Sequence, residues 1–188
     1  LYIDPANVAA AAAVEPGSPQ AALDLRAQPI VLVVGEQLNA EINTNPVAAQ
    51  IQWCIVWLSS GPVEPVRGPV FTIRATNAVA LVGSVWSNQP ITFQEDLPRG
   101  RYQVVGFRPE SAGMIAGRLV FVGGGPRPGA LGADAISDIQ HPIFRYGELG
   151  VWGEFEDIEP PTVDCLSVSA DATQEFYFDL IQVREGPG

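Results

Sequence analysis

The residues that could do chemistry in this chain are few, and they are scattered. Its one histidine, His141, precedes Pro142, with Ser137 and Asp138 close by in sequence. Hydroxyl, imidazole and carboxylate are the parts of a nucleophilic triad, but no strand-turn-helix nucleophile elbow surrounds Ser137. A histidine beside a proline in a loop reads as structural. The cysteines, Cys54 and Cys165, lie within apolar stretches and read as small buried hydrophobes, with a disulfide left open. Transition-metal sites need several imidazole or thiolate ligands, which argues against zinc, copper and non-haem iron. The carboxylates Glu154, Glu156, Asp157 and Glu159 have the oxygen chemistry for calcium. Glycoside hydrolysis would need two such groups facing each other across about 5–9.5 Å. A solvated strand end is the simpler reading. Gly123-Gly124-Gly125 lacks the Lys-Ser/Thr and the helix of a phosphate loop. Trp53, Trp57, Trp86 and Trp152 would make a sugar platform if exposed, and a core or subunit interface if not. The expectation is therefore no catalytic, cofactor-binding or metal residues, no cofactor and no enzyme.

The elements that would hold these residues are short apolar runs closed by glycine or proline. Residues 30–34, 51–58, 70–73, 79–85, 102–107, 114–122, 149–155, 163–168 and 176–183 have strand length and strand chemistry. Together they predict one all-β domain, a sandwich or a barrel. Phe176, Phe178 and Leu180 should share one face of their strand, with Glu175, Tyr177 and Asp179 on the other. In 149–155, Leu149, Val151 and Phe155 should oppose Trp152 and Glu154. The run 30–34 is apolar on both faces, which predicts a central or covered strand. Residues 109–113, Pro-Glu-Ser-Ala-Gly, have the composition of a hairpin connection. Residues 123–146 form the longest stretch without strand pattern, with one helical turn expected in 130–139.

With 188 residues and 47% hydrophobic content, one globular domain is expected. Residues 1–26 differ. Asp4-Pro5 is a helix start, an alanine-rich run follows, and Pro16-Gly17 stops it. The predicted organisation is an N-terminal arm or short helix, 1–26, and a β-sandwich, 27–188. No apolar run approaches the ~20 residues of a membrane-spanning helix, and no signal peptide is visible. Every basic residue is arginine, ten in all, against 21 acids, for a net charge of −11. Such a surface disfavours nucleic-acid binding. Arginine's planar fork suits interfaces and buried ion pairs.

The C-terminal half carries a family likeness. Arg101-Tyr102-Gln103-Val104-Val105-Gly106 is followed by Ala116-Gly117-Arg118-Leu119-Val120-Phe121 and Pro126-Arg127-Pro128-Gly129. Next come Phe144-Arg145-Tyr146-Gly147-Glu148-Leu149-Gly150-Val151-Trp152-Gly153-Glu154-Phe155, Pro160-Pro161 and Asp179-Leu180-Ile181-Gln182-Val183. In strand order and loop style this resembles the jelly-roll coat proteins of small icosahedral bacterial viruses. The resemblance implies two four-stranded sheets in Greek-key order. It also implies self-assembly into capsomers of a virion, with copies of itself and other shell proteins as partners. The missing basic arm speaks against direct genome binding. The alternative is a secreted or surface sandwich that binds carbohydrate or serves adhesion.

Overall fold

The computed structural model describes residues 30–39, 56–77, 79–123, 127–132 and 149–185. The expected arm 1–26 lies outside them. Among the described residues there are nine strands and no helix. The strands are β1 (Phe71–Asn77), β2 (Ser87–Gln89), β3 (Thr92–Phe93), β4 (Gly100–Glu110), β5 (Met114–Val120), β6 (Gly129–Leu131), β7 (Gly153–Glu156), β8 (Thr162–Ser167) and β9 (Gln174–Glu185). They form two antiparallel sheets, one in the order β3-β1-β9-β4-β7 and the other β2-β8-β5-β6. The expected all-β fold holds, with two antiparallel sheets. The first sheet has five strands rather than four because β3 adds a two-residue edge to β1.

Burial follows the pleat. In β9, Phe176, Phe178 and Leu180 are fully buried, as their alternation requires. They meet Ile73, Ala75, Val104 and Phe107 from their own sheet and Leu119, Val163 and Cys165 from the other. Aromatic rings fill the space between. Phe107 lies 5.1 Å from Phe178 and 6.4 Å from Trp152, and Tyr102 stacks on Phe155 at 5.7 Å. Such ring pairs contribute about 0.5–1.5 kcal/mol beyond their area. In β4 the inward positions change parity, from Tyr102 and Val104 to Phe107 and Pro109. A register shift against β9 between Val104 and Gly106 inserts one residue and turns the following side chains over. Pro109 is tolerated because β7 pairs β4 only as far as Val104, so that among the described residues no second ladder runs beside it.

Six sequence expectations change. Residues 30–34 form no strand. Residues 31–34 are exposed, Ile30 is half-buried, and the run enters a tight turn in which the Glu36 amide donates to the Val33 carbonyl at 3.0 Å, with Gly35 at φ +93°. An apolar run makes a strand only where a neighbour supplies the ladder, and no described strand flanks it. Residues 79–85 form a loop with one isolated bridge, Leu81 to Asp171, and a hydrogen bond from the Ser84 amide to the Ser167 carbonyl at the end of β8. Ser84 there adopts a left-handed φ of 62°, which no continuous strand allows. The nearby strand, β2, is the polar Ser-Asn-Gln. Residues 109–113 make no hairpin, because β4 and β5 belong to different sheets and Ser111–Gly113 crosses between them. Gly113 has φ +81°, and a Cβ on it would lie 2.8 Å from Val168 Cγ2. Trp152 faces inward with Phe155, while Val151 is exposed. Within 123–146, Gly129–Leu131 is strand β6 rather than the start of a helical turn. In 51–58, residues 56–58 are not strand and the rest lie outside the described residues.

Candidate functional site

One row of residues crosses the outer face of the four-stranded sheet. Asn88 in β2 is opposite Asp164 in β8, Asp164 is opposite Arg118 in β5, and Arg118 is opposite Gly129 in β6. Strand alternation sets this row. Val163 and Cys165 point into the core, so Asp164 between them points out. Leu119 likewise points in and Arg118 out.

Asp164 is nevertheless buried, because its partners cover it. Its Oδ2 accepts from Arg118 Nε at 3.0 Å and from Arg127 Nη1 at 2.8 Å. Its Oδ1 accepts from Asn88 Nδ2 at 2.8 Å. Arg127 comes from the β5–β6 connection, which is anchored where the Leu119 amide donates to the Pro128 carbonyl at 2.7 Å. Burial alone would raise the Asp164 pKa. The Asn88 hydrogen bond and the two guanidinium groups outweigh it and hold the carboxyl below its ordinary range. Arg118 also stacks over Trp86, with its guanidinium carbon 4.2 Å from the ring centroid. Trp57 Nε1 donates to the Gly129 carbonyl at 2.8 Å, at the far end of the same row. The result is a firm platform in which two arginines share one carboxylate. Trp86 remains 41% exposed and the Arg127 side chain 49% exposed.

The acidic residues singled out from the sequence lie on the other sheet, in and just after its edge strand β7. A recess of about 280 Å³ is lined by Arg101, Val122, Glu154, Phe155, Glu156 and Glu159. Glu154 is committed to an ion pair with Arg101 and accepts from Gln103 Nε2 at 2.7 Å. Asp157 Oδ1 accepts from the Gly100 amide at 2.8 Å. The Glu159 amide donates to the Glu156 carbonyl at 2.8 Å and closes a turn with Ile158 at its tip. Among the described residues no three His, Cys, Asp or Glu side chains are grouped to hold a metal ion.

The tryptophans separate: Trp152 is core, Trp86 is surface, and Trp57 is partly buried at the β6 edge. Cys165 is a buried free thiol, pushed up to about 12 by burial and by the Asp164 charge. His141, Ser137, Asp138, Trp53 and Cys54 lie outside the described residues. Sequence reasoning missed the Asn88–Asp164–Arg118–Arg127 cluster. The available signal was a carboxylate between Val163 and Cys165, a charged residue inside an otherwise apolar strand. Compared with known proteins, the chain matches no protein-family model, no curated protein and no solved structure.

Proposed function

We propose that this chain is a jelly-roll shell protein that assembles with copies of itself into the capsomers of a virion. Strand pairing supports the jelly-roll part. With the short β3 set aside, eight strands remain, and they pair first with last and inward from there. β1 pairs with β9, β2 with β8, β4 with β7 and β5 with β6. That is one long hairpin, bent back between β5 and β6 and rolled until β9 meets β4 and β8 meets β5. Jelly rolls serve shells, lectins and cupins alike, so the topology alone does not select a role.

The observation that carries the shell reading is apolar surface. Val31, Val33 and Val34 are exposed in succession, Val34 fully so. A second group, Val82, Val85 and Val168, is exposed on loops that meet at one end of the sandwich, where the Ser84 amide donates to the Ser167 carbonyl. Surface of this kind is covered in use, and covering it contributes about 25 cal/mol per Å². The net charge of −11 disfavours a genome-binding role. Light scattering and electron microscopy on the purified chain test the reading. Rings, shells or capsomer-sized particles are expected, and a strict monomer at high concentration across a range of salts refutes it.

The exposed Trp86, held flat by Arg118, favours a second reading: a carbohydrate-binding module. Glycan binding that disappears in Trp86→Ala would select it.

A further inference from the structure

We infer that the Arg118–Arg127–Trp86 platform of one copy receives the Glu156–Glu159 turn of the next. This rests on the self-assembly reading and names the contact that would carry it. Copies with a charge of −11 repel one another, so a stable contact between them must bring opposite charges together locally. The platform offers such a place. Two guanidinium groups converge on the single carboxylate of Asp164, leaving one net positive charge on the row. Arg127 is half-exposed, and its planar fork is shaped to take a second carboxylate. Beside it the Trp86 ring presents an apolar face.

The turn is chemically complementary to this. Ile158 stands 86% exposed at its tip, between Asp157 and Glu159. Pro160-Pro161 follows, fixing the backbone so that the turn is presented rather than collapsed. An apolar tip flanked by acids fits an aromatic face flanked by arginines, and Trp and Arg are the residue types that dominate contact energies. The two surfaces are different patches of one molecule, so the contact is heterologous. Repetition of a heterologous contact closes a ring when its rotation allows, which is the geometry of a capsomer.

Charge exchange tests this. Arg127→Glu and Glu159→Arg each change an exposed side chain, and circular dichroism checks that both variants fold. Association is measured by sedimentation velocity for wild type, each variant, their equimolar mixture and the double variant. Each single variant should associate about 10-fold or more weakly than wild type, because like charges then face each other. The mixture should regain association, because every contact in an alternating ring then pairs opposite charges. The double variant should regain it too. If wild type associates while both single variants match it, or while neither mixture nor double variant recovers, the inference falls and the shell reading survives. A wild type that does not associate defeats both.

Discussion

Replacing Asp164 with asparagine probes a charge that is buried among several partners. The carboxylate accepts from Arg118, Arg127 and Asn88. An amide keeps one acceptor oxygen and turns an NH2 group either toward the arginines, where only donors wait, or toward Asn88, whose amide must flip to accept from it. Hydrogen bonds to charged groups contribute about 1.5–3 kcal/mol when well shielded. The Arg118 and Arg127 side chains are 35% and 49% exposed, so water recovers much of what they lose and the pair terms shrink toward about 0.2–1 kcal/mol each. With the Asn88 bond disturbed as well, Asp164→Asn should cost about 1–2 kcal/mol at pH 7. For a domain of this size that lowers Tm by roughly 2–8 °C. The sign of the pH dependence follows from the depressed carboxyl. On acidification the unfolded chain, with its aspartate near pH 4, binds the proton before the folded one does. The stabilisation is therefore complete above about pH 5 and fades as the pH falls through the lower folded value. Asp164→Asn has none of it to lose. Urea titrations of both proteins from pH 3 to pH 7 should show a gap that is widest at neutrality and narrows in acid. A gap of equal size at pH 3 and pH 7, or no gap at pH 7, would refute the electrostatic account.

Three further outcomes are expected. In a Cys54→Ser background the one remaining thiol, Cys165, is buried and pushed up to about 12, so at pH 8 iodoacetamide should label it only after denaturant is added. Equal labelling rates with and without denaturant, followed by mass spectrometry, would contradict the packing. A Cβ on Gly153 would overlap the Phe121 ring, so Gly153→Ala should destabilise by about 1–3 kcal/mol in chemical denaturation. Adding Phe121→Ala should remove most of that increment, whereas full additivity would show that the two do not touch. Phe178→Ala deletes a fully buried ring that contacts Phe93 and Phe107 and should cost about 3–5 kcal/mol; a loss below 1 kcal/mol would place the ring outside the core.

Sequence periodicity read the central strands well, and failed where pairing rather than side-chain chemistry decides the backbone. β9 alternates cleanly, so Phe176, Phe178 and Leu180 could be placed by eye. β4 could not be, because the register shift near Val105 changes which parity faces the core, and a bulge leaves no mark on apolar spacing. The valines at 31, 33 and 34 have every local attribute of a strand yet have no described neighbour to pair with. Conversely, Ser87–Gln89 is polar and becomes strand because β8 supplies its ladder. The hairpin composition of 109–113 was real, but turn residues do not say whether the chain returns to the same sheet or crosses to the other. The platform was hidden for a related reason. Its members stand at 88, 118, 127 and 164, and only lateral strand pairing lines them up. The acidic run was legible as a solvated strand end, while its turn, with Ile158 raised at the tip, emerged only with the backbone.

The nesting of outermost strand against outermost strand also sets a timetable. Thr72 hydrogen-bonds Asp179 across 107 positions of chain, and β1 lies between β9 and only a two-residue edge. At about 5–20 residues per second, ribosomal synthesis separates those two residues by roughly 5–20 s. Throughout that interval the first strand waits with most of its ladder unmet, and non-local pairing of this kind is slow even once the whole polypeptide is present. The pairing of β1 with β9 is thus withheld until translation has passed β9, so the two-layered core closes only on a finished strand set.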